Sequence, residues 1–229
     1  MKVGVLFSGG KDSTFALHLA EAQGWDIKCL ISLNSDNPHS YMFHTPNIHL
    51  VKEQGECLGL PVIFKQTHGR KEEELEDLKA ALKEAKEKYL IDTVVTGAVA
   101  SNYQEERVNR ICEPLGLRTF SPLWHKDQEQ LLYEMLDANF DIRIIAIAAF
   151  GLNESYLGKQ INKELIDDFK LKKEKYGLHI AGEGGEFESL VVDSPLFKKR
   201  IEIQEAEPIM ENEETGYLNI KKVNLTLKQ

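Results

Sequence analysis

The sequence predicts an α/β domain built on a parallel β-sheet, followed by a smaller α+β domain. Three observations predict it. Short apolar runs alternate with amphipathic helical stretches through residues 1–121, the pattern of βαβ units. The first apolar run, Val3-Gly4-Val5-Leu6-Phe7, passes through a Gly-rich turn into a helix. From Pro122 the character shifts to helices around one apolar strand and then to an alternating, strand-like tail.

Each element has its own local reason. Lys28–Leu33 reads as a second strand. Thr45-Pro46 resembles an N-cap with Pro at the first helical position, and Ile48, Val51 and Leu58 mark one face of a helix ending near Gly59. Pro61–Phe64 is a third strand. Leu75, Leu78, Leu82, Ala85 and Tyr89 form the apolar stripe of a long helix whose outer face is charged. Thr93–Thr96 is a fourth strand, Tyr103–Leu115 a helix and Leu117–Ser121 a fifth strand. A helix is expected from about Asp127 to Ala138, a strand over Ile142–Phe150 and a helix from about Lys159 to Tyr176. Gly182–Glu188 reads as a flexible acidic segment. Strands follow at Leu190–Val192, Arg200–Ile203 and Tyr217–Leu227. The expected domains are therefore residues 1–121 and 122–229.

Composition narrows the function classes. The chain has 229 residues, 42% hydrophobic and 28% charged, which suits a globular protein. The net charge is −9. An acidic surface disfavours broad contact with nucleic acid, whose affinity rests on phosphate neutralisation. Neither a signal peptide nor a membrane-length apolar stretch of ~18 residues is expected. Cys29, Cys57 and Cys112 lie far apart, form no metal spacing, and read as buried reduced thiols of a cytoplasmic protein. A homo-oligomer remains open.

Ser8-Gly9-Gly10-Lys11-Asp12-Ser13 is the segment that carries chemistry. A strand, a Gly-rich turn and a helix N-terminus make an anion site, because the first-turn N–H groups and the positive end of the dipole face the turn. Gly9 and Gly10 let the backbone curl around a phosphate, Lys11 adds charge, and Ser13 can donate a hydroxyl and cap the helix. The spacing is not that of a Walker A loop. Asp12 beside phosphates requires a cation between them and is assigned to Mg²⁺.

Three other segments are too polar or Gly-rich for a core. Asn34–Thr45 contains Ser40-Tyr41-Met42-Phe43-His44 and follows the second strand, so Phe43 or Tyr41 can pack on a base and His44 can reach phosphate. Gly97–Val108 follows the fourth strand; Gly97 permits close backbone approach, Ser101 or Asn102 can cap the helix, and Arg107 is a bidentate candidate for phosphate or carboxylate. Gly182–Glu188 brings Glu183, Glu186 and Glu188 together with three glycines, suited to orienting a cation, accepting a proton or helping to hold metal.

The Ser8–Ser13 pattern resembles the PP-loop of the ATP pyrophosphatases, the adenine nucleotide alpha-hydrolase superfamily, which implies a Rossmann-like fold and cleavage of ATP to AMP and pyrophosphate. Taken with Ser40–His44, Gly97–Val108, Pro122-Leu123-Trp124 and Glu183–Glu188 running into Leu190–Pro195, the chain resembles the diphthine–ammonia ligase family in its short, archaeal-type form, lacking the C-terminal extension of eukaryotic members. That resemblance implies ATP-dependent amidation of diphthine on translation elongation factor 2, with Mg²⁺ and ammonium from solution, through an acyl-adenylate. It implies an ATP side made of Ser8, Gly9, Gly10, Lys11, Asp12, Ser13, Phe43, His44 and Gly97. Lys11, Asp12, Arg107, Glu183 and Glu186 would serve catalysis. Tyr103, Gln104, Trp124, Glu183, Gly184, Gly185, Glu186 and Glu188 would meet the substrate, with Trp124 or Tyr103 on its trimethylammonium by cation–π contact. The competing readings are another PP-loop enzyme, such as a tRNA-modifying ligase or thiolase, and a non-catalytic adenine-nucleotide sensor.

Overall fold

A computed structural model describes residues 1–35, 46–68 and 73–228, with only the backbone described at residues 73, 103 and 104. The described chain forms two compact units, Met1–Trp124 and His125–Gln229.

The first unit is a five-stranded parallel sheet: β1 (Lys2–Leu6), β2 (Asp26–Ser35), β3 (Val62–Thr67), β4 (Thr93–Val95) and β5 (Arg118–Phe120), in the order β3-β2-β1-β4-β5. Helices α1 (Lys11–Ala22), α2 (Val51–Leu58), α3 (Glu73–Tyr89) and α4 (Asn102–Cys112) make the crossovers. The first two steps run outward from β1 in one direction and the later ones return to its other side. Right-handed connections therefore place α1 and α2 on one face and α3 and α4 on the other. Strand alternation agrees. Cys29, Ile31 and Leu33 on β2 join a buried cluster with Leu75, Leu78 and Leu82 of α3 and Val108 and Ile111 of α4. The reversal of strand order falls between β1 and β4. Open α/β sheets bind ligands in the crevice outside the carboxyl ends of strands at such a point.

The structure refines several elements. β2 is longer than expected and reaches Ser35. The stretch before α2 is not a helix begun at Pro46 but a 3-10 turn at Ile48–Leu50, entered through Asn47 in the left-handed region at φ 61°. Thr45 lies outside the described residues. Gly59, at φ 70°, closes α2 as its pattern suggests.

The second unit is a four-stranded antiparallel sheet of β6 (Asp141–Ala148), β7 (Phe187–Asp193), β8 (Lys199–Met210) and β9 (Thr215–Leu227), in the order β7-β6-β9-β8. Its buried side chains include Ile142, Ile144 and Ile147 of β6, Leu131, Leu132 and Met135 of α5 (Gln128–Asp137), and Phe169 of α6 (Lys163–Tyr176). Phe169 stacks on Phe187 at 5.1 Å between ring centroids. Helix α6 starts later than expected because the Asn162 side chain caps it, accepting from the Leu165 N–H at 2.9 Å. Among the described residues, no helix is long and apolar enough to cross a membrane.

Candidate functional site

The carboxyl edge of the first unit's sheet holds the Ser8–Ser13 loop directly after β1 and Thr96–Ser101 directly after β4. Buried polar residues gather along this edge: Lys11, Ser13, Thr14, Ser32, Gln54 and Thr96. Buried polar groups are stable only when partnered, and their partners are largely the loop backbone. Phe7 extends the β1–β2 pairing by donating its N–H to the Ile31 carbonyl at 2.9 Å, and the Ser32 hydroxyl donates to the Phe7 carbonyl where the ladder ends.

The loop is internally braced. Gly9 takes φ 78°, a conformation open to glycine. Gly10 is the N-cap of α1, with φ −78° and ψ 172° and no side-chain cap. Ser13 is therefore not the capping residue that the sequence suggests. It lies in the first helical turn, where its Oγ accepts from the Ser8 N–H at 3.3 Å and donates to the Gly10 carbonyl at 3.2 Å. Gly10 places no side chain over the first-turn N–H groups of α1, and a helix start of this kind can bind an anion.

Lys11 and Asp12 form an ion pair at 2.7 Å, with the Lys11 side chain 5% exposed. That pair engages only Asp12 Oδ2. Asp12 Oδ1 is buried and has no hydrogen-bond partner among the described residues. An orphaned carboxylate oxygen beside an anion site fits a Mg²⁺ ion that takes its remaining ligands from phosphates and water. Among the described residues, no group of three or more His, Cys, Asp or Glu is arranged to hold a metal ion. The Gly182–Glu188 carboxylates therefore form no metal cage by themselves.

Gly97 meets the loop from the β4 side: a Cβ there would lie 2.7 Å from the Ser13 amide nitrogen and 2.8 Å from the Asp12 carbonyl carbon. The Thr96 hydroxyl, 3.0 Å from the Ser121 hydroxyl, accepts from the Ala98 N–H at 3.3 Å and sets this turn. Arg107 is half-buried on α4. Tyr103 and Gln104 begin the same helix, but their side chains lie outside the description. Tyr41, Phe43 and His44 also lie outside the described residues. Trp124 ends the first unit in a turn, its N–H donating to the Ser121 carbonyl at 3.1 Å.

In the second unit, Gly182–Glu188 is a cross-braced turn rather than a flexible segment. Glu186 accepts the His179 N–H on Oε1 at 3.0 Å and the Gly184 N–H on Oε2 at 2.8 Å. Its own carbonyl accepts the Ala148 N–H from the end of β6 at 2.8 Å. Glu183 and Gly182 are half-buried, Gly184 and Gly185 are exposed, and Glu188 is exposed on β7. The turn is pinned at its base by Glu186 and carries Glu183 at its tip.

Gln54, Ser32, Thr96 and Ser121 are the edge residues that motif reading misses. Ser32 and Thr96 leave a trace as polar residues at the ends of apolar strands; Gln54 leaves none.

The comparisons agree across the chain. The family model for the diphthamide synthase N-terminal domain matches residues 1–119, and that for its C-terminal domain matches residues 127–226. A diphthine–ammonia ligase of Mus musculus is 36% identical, covering 100% of this chain and 94% of the relative. One of Homo sapiens is 36% identical over 92% of this chain and 85% of its own length. One of Schizosaccharomyces pombe is 36% identical over 96% of this chain but only 39% of its own length. Additional length thus marks the fission-yeast relative and not the mouse one, which corrects the expectation that eukaryotic members share an extension. A solved chain described as a predicted subunit of tRNA methyltransferase from Methanocaldococcus jannaschii aligns at a TM-score of 0.45 and 18% identity, over 85% of this chain and 98% of that one, too distant to bear on function. Both family models and full-length relatives at 36% identity place the chain in one group: it belongs to the diphthine–ammonia ligase family of ATP-dependent carbon–nitrogen ligases.

Proposed function

We propose that this protein amidates diphthine on translation elongation factor 2 with ammonia, releasing AMP and pyrophosphate. The observation that carries this reading is the Ser8–Ser13 loop at the β1–β4 reversal, with a helix start that has no side-chain cap and an orphaned Asp12 oxygen. In this reading the first unit binds ATP, and the second carries the acidic turn read as a contact for the modified side chain.

The N–H groups of the loop and of the first α1 turn, with Lys11 and the Ser8 and Ser13 hydroxyls, hold the β and γ phosphates. Lys11 exchanges part of its pairing with Asp12 for phosphate oxygen. Mg²⁺ held by Asp12 would neutralise phosphate charge there. Arg107 and the Gly97 turn serve the α-phosphate region. Phe43 and His44 flank the nucleotide.

A carboxylate oxygen of diphthine attacks the α-phosphorus; the bond from that phosphorus to the bridging oxygen breaks, and pyrophosphate leaves with its electron pair. Ammonia nitrogen then attacks the acyl carbon. The acyl carbon–oxygen bond breaks, AMP departs, and nitrogen loses a proton to give the amide. Glu183, assisted by Glu188, meets the cationic side chain or the incoming ammonium, and Glu186 holds the turn that presents them. On the first unit, Tyr103, Gln104 and Trp124 are read as substrate contacts, with an aromatic face on the trimethylammonium worth ~0.5–2 kcal/mol; on the second unit, Gly184 and Gly185 are read so. The reaction belongs in the cytoplasm, where elongation factor 2 works.

The test is AMP and pyrophosphate production from Mg·ATP and ammonium, with and without diphthine-modified elongation factor 2. Turnover only with the modified factor, together with amide formation on it, supports the ligase. Turnover driven by tRNA, or nucleotide binding without turnover, overturns it.

A further inference from the structure

We propose that Gln54 is a positioning residue for the phosphate loop, setting the plane of the Gly9–Gly10 peptide from outside the loop; the inference rests on the PP-loop reading of Ser8–Ser13. Gln54 is fully buried on α2. Its Nε2 donates to the Gly9 carbonyl at 2.9 Å, across 45 positions of sequence. That carbonyl belongs to the one loop residue with positive φ. In a trans peptide the C=O of one residue and the N–H of the next point in opposite directions. Fixing the Gly9 carbonyl toward Gln54 therefore fixes the Gly10 N–H on the opposite side. There the Gly10 N–H makes a long 3.4 Å contact with Ser8 Oγ, beyond the usual 2.7–3.2 Å range and readily exchanged for a phosphate oxygen.

The strut is rigid at both ends. A Cβ on Gly9 would fall 2.1 Å from Gln54 Oε1, so the glycine and the amide are in direct contact with no space between them. One residue along α2, a Cβ on Gly55 would lie 2.3 Å from Val62 Cγ2 and 3.1 Å from the Leu60 carbonyl oxygen. Helix α2 is thus seated closely on the entry to β3 and cannot drift from the sheet without separating. Gly97 presses on the Asp12–Ser13 backbone from the β4 side. The loop is held between α2 and the β4 turn, and Gln54 supplies the hydrogen bond in that clamp. Preorganised N–H groups bind an anion with little reorganisation, so loss of the amide should weaken phosphate binding and leave the adenosine end unaffected.

The experiment compares pyrophosphate, ATP and AMP binding by calorimetry on the full chain with Mg²⁺, for the wild type, Gln54→Met and Gln54→Glu. Gln54→Met keeps the chain length without a donor. Gln54→Glu keeps the shape and, when ionised, opposes the Gly9 carbonyl. Pyrophosphate and ATP affinity should fall about tenfold in Gln54→Met, about 1.4 kcal/mol, and further in Gln54→Glu, with AMP affinity held within about twofold. Should Gln54→Met not fold, Gln54→Asn keeps an amide that is one methylene too short for Gly9 and gives the same comparison. Equal loss of AMP and pyrophosphate binding, or a lowered melting temperature with pyrophosphate affinity unchanged, overturns the proposal. A wild type that binds AMP as well as ATP and does not bind pyrophosphate would instead sink the loop reading on which it rests.

Discussion

Gly97 and Ser13 touch backbone to backbone: a Cβ on Gly97 would stand 2.7 Å from the Ser13 nitrogen and 2.9 Å from its Cα. Neither neighbour is a flexible side-chain tip, so a methyl group there must push the β4 turn off the start of α1. Gly97→Ala should cost about 1–3 kcal/mol of stability, the usual range for overpacking, and should weaken ATP binding together with it. Thermal unfolding and nucleotide titration of the variant check both. An unchanged melting temperature would show that the turn yields without strain.

The orphaned Asp12 oxygen gives a second expectation. Asp12→Asn keeps an acceptor for Lys11 and nearly the same volume, so the fold should persist. It removes the charge that a cation needs beside phosphates. Pyrophosphate release should fall by ~10²-fold or more, and the Mg²⁺ concentration for half-maximal rate should rise. Retained turnover at the same Mg²⁺ requirement would remove Asp12 from the metal role.

How much of this was legible in the sequence follows from which interactions are local. The strand, glycine turn and helix start of Val3–Ala20 are local, and the structure keeps them as read. The parallel sheet followed from alternation, because crossovers need helices. The capping role expected of Ser13 did not hold, because Gly10 already occupies the cap position and the serine turns back onto Ser8. Gln54 was illegible: a polar residue in a mixed helix reads as solvated, and its burial against the Gly9 carbonyl depends on a contact 45 positions away. The glycines and acids of Gly182–Glu188 read as a loose turn. The bracing of that turn depends on His179, which spacing alone does not pair with Glu186.

That bracing separates two carboxylates within one turn. Glu186 accepts two backbone N–H groups, so Glu186→Gln replaces one acceptor with a donor that faces a donor. Loss of a charge-assisted bond of this type costs about 1.5–3 kcal/mol in a buried setting, and less for a half-buried residue such as this. Amide exchange at His179 and Gly184 should quicken. Glu183→Gln should leave those amides as they are while lowering turnover under the proposed reaction. Faster exchange in both variants would make Glu183 part of the scaffold.

The cysteines give a prediction independent of the proposed chemistry. Burial pushes the Cys29 thiol up from its ordinary value of 9.0 to about 12, against a smaller opposing pull from Lys88. Burial alone raises Cys112 to about 12. Cys57 is buried as well. A thiol reagent at pH 8 should therefore modify none of the three in the folded protein and all of them in denaturant. A raised folded value means that the native state holds its proton more tightly than the unfolded state. The contribution is complete below pH 9 and is lost as pH rises from 9 toward 12. Burial, and next its bond to Asp168, also raises the Tyr156 hydroxyl above its ordinary value of 10.0, which adds a loss of the same sign as pH rises past 10. Denaturant midpoints measured across this range should fall steeply for the wild type and less steeply for Cys29→Ala and Cys112→Ala, whose stability below pH 9 will be lower because each leaves a small cavity. Parallel curves for variant and wild type would place the alkaline loss on other groups.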